Sequence, residues 1–394
     1  MSKGGLSAAR LARMHDVLAG YVERGELPGF VTLVSRRGEV HVDAIGYERD
    51  AIFRISSMSK PVTAAAAMVL LEEGVIRLDE PVDDFLPELA NRKVLRQIDS
   101  EVDDTVPARR PIMVRDLLTF TLGAGLIFAT PGTYPIQHAI ERAGLGDGPP
   151  DPSRQPQPDD WIRRFASLPL FYQPGDRWMY NTGSEVLSVL IARASGRPLD
   201  DFMRERIFEP LGMRDTGFWV PEDRIDRLVT SHAVEPASGK LRLYDDVRGG
   251  SWSRPPAFPS GAGGLVSTVD DFLAFGQMML DKGLLDGKRI LTRPSVATMT
   301  TDQLTAEQKA RTQWLPGYFD AHGWGLGMSV VTRRDDIAST VSKYGWDGGM
   351  GTSWYSDPAE EMVTILMTQV NWTSPNPPTV FRDFWTLAYT AIDD

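Results

Sequence analysis

Residues 53–74 read FRISSMSKPVTAAAAMVLLEEG, and within them SMSK places Ser57 three residues before Lys60. Positions i and i+3 share one face of a helix, so a hydroxyl and an amine would stand side by side. A serine at a helix N-terminus also meets unpaired backbone N–H groups and the positive end of the helix dipole. Those features suit a nucleophile whose carbonyl substrate must develop an oxyanion. A lysine in apolar surroundings loses its proton more easily and can act as a base near neutral pH. The competing reading is a capping serine followed by a solvated lysine. Two fixed letters at this spacing occur by chance about once in a chain of this length.

The elements that must position this pair can be read from the pattern around it. GFVTLVSRRGEVHVDAIG (29–46) reads as a β-hairpin with an Arg-Arg-Gly turn, and AIFRI (51–55) as a short third strand ending at Ser56 and Ser57. The helix that follows carries Pro61 in its first turn, where proline is tolerated, and Gly74 is its expected stop. An amphipathic helix precedes the hairpin, with Leu11, Met14, Leu18 and Val22 on one stripe. From residue 75 to about 255, helical segments alternate with Pro- and Gly-rich loops, of which 146–161 is the clearest. SEVLSVLIARASG (184–196) is the clearest helix there, followed by 199–212. The segment 267–283 opens with a capping-box pattern from Ser267 to Asp270. Strands return in GWGLGMSVV, GGMGTSWYS and EMVTILMTQV, and a final amphipathic helix closes the chain. The expected fold class is α+β: an antiparallel sheet from N- and C-terminal strands flanked by terminal helices, with a mainly helical insertion. The expected division puts residues 1–85 and 256–394 in the sheet subdomain and 86–255 in the helical one.

Bulk composition narrows the function classes. The 394 residues include 42% hydrophobic residues, the range of a soluble globular enzyme. Net charge is −11 and no Lys/Arg block stands out, which argues against a nucleic-acid partner. Cysteine is absent, which removes disulfides, thiolate catalysis and Cys-ligated metals. The five histidines make no ligand pair at i,i+4, so no metal and no cofactor is expected. There is no Gly-x-Ser-x-Gly elbow. GAGG (261–264) lacks the partners of a phosphate loop and reads as a tight turn. No stretch reaches the length of a membrane span, and the first residues lack a signal-like apolar core, so a cytoplasmic location is expected.

Five blocks in order resemble the serine β-lactamase and penicillin-binding protein superfamily, and more narrowly the class C β-lactamase-like branch with the family VIII carboxylesterases. They include the Ser57–Lys60 helix, VRDLLTFTLGAGL (114–126), and QPGDRWMYNTGSEVLSVLIARASGRPLDDFMRERIFEPLGMRDTGF (173–218). The resemblance implies Ser57 as nucleophile with Lys60 and Tyr180 as its proton-handling partners. Tyr180 matches the tyrosine of the family's Tyr-x-Asn, with Thr182 in place of the Asn. A phenol would need a cationic neighbour to act as a base, and Lys60 would supply it. In WDGGMGTSW (346–354), Trp346 stands where Lys or His does in the third motif, and Gly348 is its glycine. An alternative alignment on KYG (343–345) misplaces the following residues by three. The family pattern makes the backbone N–H groups of Ser57 and Gly349 the oxyanion hole, with Trp346, Gly348 and Thr182 toward the substrate.

The resemblance therefore implies an acyl-enzyme mechanism on a small-molecule ester. Trp346 cannot offer a cation to a substrate carboxylate. A charge-assisted hydrogen bond is worth roughly 1.5–3 kcal/mol, so its loss costs about 10- to 150-fold. That favours a neutral, short-acyl ester over a β-lactam or a D-Ala-D-Ala peptide. Those two substrates, transfer to another alcohol and a non-catalytic binding role on the same scaffold are the alternatives. Trp178, Trp252, Phe128 and Trp324 are further candidates for the pocket wall.

Overall fold

The computed structural model describes residues 3–146 and 148–394. Met1, Ser2 and Asp147, the last within the expected 146–161 loop, lie outside the described residues. The architecture is the expected α+β arrangement. Its main sheet has seven strands: β1 (Phe30–Arg36), β2 (Glu39–Ile45), β3 (His322–Trp324), β4 (Ser329–Val331), β5 (Tyr344–Gly348), β6 (Thr352–Asp357) and β7 (Met362–Met367). Their spatial order is β3-β4-β5-β6-β7-β1-β2, every pair antiparallel. The two ends of the chain meet where β1 pairs with β7, with Leu33 opposite Ile365.

The five helices that frame the site are α1 (Ala8–Glu23), α2 (Ser59–Glu72), α3 (Thr182–Ser195), α4 (Val269–Leu280) and α5 (Thr379–Thr390). Strand β1 is buried along its whole length because both faces are covered. Phe30 and Val34 point into a cluster with Met14 and Leu18 of α1 and Phe384 of α5. Val31 and Leu33 point the other way, into the main core with Phe272 and Phe275 of α4. The period of two along the strand thus divides one run of apolar residues between two layers. The same main core continues from α2 and α4 through Leu117, Ile162 and Leu190 of the middle segment.

Helix α2 is buried on nearly every side, which explains its apolar composition. Ala64–Ala67 let neighbours approach closely: the turn between β3 and β4 passes so near that a Cβ on Gly327 would lie 2.6 Å from Ala64 Cβ. Gly74, at φ 72°, ends the helix as expected.

Three local expectations are corrected. The segment 51–55 does not join the sheet; only Phe53–Arg54 is extended, and it pairs with Val266–Ser267. The GWGLGMSVV run is two strands, because Leu326–Met328 turn back so that Trp324 faces Ser329. Helix α4 is capped by Thr268, whose hydroxyl accepts from Asp271 N–H at 3.1 Å, one residue beyond the expected Ser267. Ser267 is held instead in its short ladder and contacts Thr216.

Candidate active site

Ser57 sits in a single 3₁₀ turn, residues 56–58, that feeds α2. Ser56 enters it at φ 45°, a conformation few non-glycine residues adopt. The serines before and after are fixed: Ser59 Oγ donates to Ser56 O at 2.7 Å and accepts from Leu265 N–H at 3.1 Å. Ser57 alone of this turn is partly exposed, toward a cavity of about 1280 Å³.

The expected i,i+3 neighbour is in contact. Lys60 Nζ donates to Ser57 Oγ at 2.8 Å and to Ala262 O at 2.6 Å. Lys60 is completely buried. Burial drives its ammonium far below the ordinary 10.5, and Glu185 partly opposes the shift. With a neutral amine, the same 2.8 Å contact lets the Ser57 hydroxyl donate to Nζ.

Tyr180 lies beneath Lys60, with Nζ 4.7 Å from the ring centroid, and its hydroxyl is hydrogen-bonded to Ser57. Trp346 Nε1 donates to Tyr180 Oη at 2.7 Å. Burial raises the phenol above its ordinary 10.0, outweighing these two hydrogen bonds. Burial thus works against a phenolate at Tyr180 and toward a neutral amine at Lys60.

The backbone that presents Tyr180 is strained. Asn181 has φ 83° and ψ −61°, and Thr182 N–H donates to Tyr180 O at 3.2 Å, a γ-turn of the rarer hand. This turn swings the chain into α3 while leaving Tyr180 facing Ser57. Thr182, the first residue of α3, lines the cavity.

Strand β5 supplies the opposite wall. Trp346 is 7% exposed and packs edge-on against Trp324, ring centroids 4.7 Å apart, in a cluster with Phe120 and Trp178. Gly348 passes the carbonyl of Ile55 so closely that a Cβ would lie 2.2 Å from that oxygen and 2.2 Å from Thr352 Oγ1. Gly349 is exposed on the cavity, and its carbonyl accepts from Trp372 N–H at 2.7 Å. Lys343, the alternative third-motif lysine, donates to Ala338 O at 2.7 Å and lies over the rings of Tyr355 and Tyr389. Of the four candidate pocket aromatics, Phe128 and Trp252 line the cavity, while Trp178 and Trp324 are buried in the layer behind Trp346.

Two participants escaped the sequence reading. Ala262 contributes only a carbonyl, from the GAGG turn. Glu185 lines the cavity, and its carboxyl is pushed up by burial, with Ser260 and Lys60 opposing. Its signal was a lone acid at the start of the run EVLSVLIA, apolar apart from Ser188. Among the described residues, no group of three or more His, Cys, Asp or Glu side chains could hold a metal, and no helix is long and apolar enough to cross a membrane.

Relatives place this arrangement in context. Protein Rv1367c of Mycobacterium tuberculosis (strain ATCC 25618 / H37Rv) is 39% identical over 365 residues, covering 88% of this chain and 87% of its own. Esterase EstB of Burkholderia gladioli is 29% identical over 403 residues, covering 95% and 94%. The solved structure of EstCE1, described as a hydrolase with promiscuous acyltransferase activity, covers 98% of both chains with a TM-score of 0.76 at 23% identity, a likeness of fold. The family model described as Beta-lactamase matches residues 14–382, and the chain belongs to that family.

Proposed function

We propose that this protein is a serine hydrolase of neutral carboxylic esters, acting through an acyl-enzyme on Ser57. The observation that carries the reading is the 2.8 Å contact between Ser57 Oγ and a completely buried Lys60 Nζ. Ser57 Oγ attacks the ester carbonyl carbon and its proton passes to the neutral Lys60 amine. The carbonyl oxygen, now an oxyanion, takes hydrogen bonds from the backbone N–H groups of Ser57 and Gly349. As the tetrahedral intermediate collapses, the C–O bond to the alcohol breaks and Tyr180 passes a proton to the leaving oxygen, refilled from the Lys60 ammonium. Water then enters by the same route in reverse and releases the acid. Trp346 holds Tyr180 in place and Thr182 borders the acyl group; Gly348, expected toward the substrate, is buried instead against the backbone at Ile55 and does not line the cavity.

Charge supports an ester over a β-lactam. Where a cation would meet a substrate carboxylate, this wall has Trp346 and then Asp347, whose carboxyl is pushed up to about 6 by burial and whose Oδ2 accepts from Tyr355 Oη at 2.9 Å. The cavity is larger than a butyryl group needs, so the alcohol or acyl portion can be bulky. The name of the relative Esterase EstB points the same way. The test is turnover of p-nitrophenyl butyrate against nitrocefin by wild type and Ser57→Ala. Ester cleavage that disappears in the folded variant is expected. Retained cleavage in Ser57→Ala, or preference for nitrocefin, would overturn the proposal.

A further inference from the structure

The proposed reaction leaves one half-buried acid near Ser57 unused. Glu185 stands in the first turn of α3. Its Oε1 accepts from Ser260 Oγ at 2.9 Å, and its Oε2 is shielded from solvent with no hydrogen-bond partner among the described residues. Ser260 Oγ in turn accepts from Gly263 N–H at 3.2 Å. Between Ser260 and Gly263 lies Ala262, whose carbonyl takes the 2.6 Å hydrogen bond from Lys60. This turn is clamped from both helices: Thr63 Oγ1 of α2 donates to Gly261 O at 2.9 Å, and Ser188 Oγ of α3 accepts from Gly261 N–H at 2.8 Å. One rigid turn therefore holds the acid on one side and the amine on the other.

We infer that Glu185 is a positioning residue for the proposed base: its carboxylate, tethered by Ser260, determines how tightly Lys60 holds a proton and so the pH at which Ser57 becomes reactive. The inference rests on the esterase reading above. The other groups around the pair do not supply this control. Tyr180 lies beneath Lys60, and burial works against its ionisation. Asp347 on β5 faces Tyr180 and is bonded to Tyr355. Arg54 and Asp245 form a buried ion pair of their own, with Arg54 Nε 2.8 Å from Asp245 Oδ2. Asp151 is paired with Arg154 and accepts from Ser251 Oγ. Glu185 remains, lining the same cavity and joined to the Lys60 acceptor Ala262 through the Ser260–Gly263 turn. When Ser57 gives up its proton, the ammonium formed at Lys60 is stabilised by this carboxylate, which no direct contact to substrate requires.

Glu185→Gln keeps the shape and the Ser260 hydrogen bond but removes the charge. The Lys60 Cε resonance, identified by its loss in Lys60→Met, is followed by NMR through a pH titration of both proteins, together with the acid limb of kcat/KM for p-nitrophenyl butyrate. Both midpoints are expected to fall by about 1 pH unit in Glu185→Gln, since an opposite charge nearby favours the protonated amine. Equal midpoints in wild type and variant would overturn the inference. The NMR titration needs no turnover, so a protein inactive on esters would sink the functional proposal while leaving this one decided by the Lys60 midpoint. If Glu185→Gln does not fold, Ser260→Ala, which frees the carboxyl from its tether, should lower the Lys60 midpoint; no change there would count equally against the inference.

Discussion

The indole Nε1 of Trp346 donates to the hydroxyl of Tyr180 at 2.7 Å, joining two residues that stand 166 positions apart in the chain. This hydrogen bond occupies one side of the phenol oxygen and leaves its proton toward Ser57. Trp346 therefore orients the group that proton transfer is proposed to use. Trp346→Phe preserves an aromatic wall and removes the donor. A neutral hydrogen bond is worth about 0.5–1.5 kcal/mol, so kcat is expected to fall by roughly 2- to 13-fold with the fold intact. Steady-state kinetics with circular dichroism on the same samples decide it; an unchanged kcat would make Trp346 a packing residue only.

The buried amine makes a prediction about pH. Lys60 acts as a base only without its proton, and burial lowers its affinity for that proton well below the ordinary 10.5. Rate should therefore rise with pH through this depressed midpoint and level off before the range in which a solvated lysine titrates. A profile of kcat/KM against pH tests this. A limb that continues upward to the ordinary lysine range would place the amine in water. Lys60→Met should lower kcat at neutral pH by about 10²- to 10⁴-fold, the usual contribution of a general base.

Gly348 gives a structural test that is independent of the chemistry. A methyl group there would meet Ile55 O and Thr352 Oγ1, each 2.2 Å from the Cβ position. Ile55 O belongs to the backbone leading into the nucleophile turn, so it cannot move without disturbing Ser57. Gly348→Ala is expected to cost about 1–3 kcal/mol of stability by overpacking and to lower activity as well. Urea unfolding and ester turnover measure the two effects. A variant as stable and active as the parent would mean that β5 is free to shift.

Asn181 is expected to behave in the opposite sense. Its φ of 83° suits glycine, and the γ-turn it forms is strained. Asn181→Gly should be more stable than Asn181→Ala by about 1 kcal/mol or more in urea unfolding. Equal stabilities would show that the strain is not borne at this residue.

Parts of this site were legible because they are local. The four letters of SMSK bring a hydroxyl and an amine together through one local turn, 3₁₀ at Ser57 and α-helical from Ser59, and Pro61 and Gly74 mark where that helix begins and ends. Sequence patterning likewise identified the terminal helices and strands β1, β2, β6 and β7, but not β5, and it merged β3 with β4. The misread elements were those whose state depends on a partner. Phe53–Arg54 is extended because Val266–Ser267 lies beside it, and the break at Leu326–Met328 follows from packing of that turn on α2.

By itself the sequence indicated which residues to propose as reactive and that Ser57 and Lys60 stand one turn apart, since a local helical turn requires no other part of the chain. The tertiary structure decided whether they can react. Water is removed from Lys60 only when the segments around it close over α2, and its second acceptor is the carbonyl of Ala262, an atom every residue type carries. Glu185 from α3, and Trp346 and Gly349 from β5 and the turn after it, line the same cavity as Ser57. Desolvation and long-range contact are properties of the packed chain, because the energy of a charge or a proton depends on everything within a few ångströms of it.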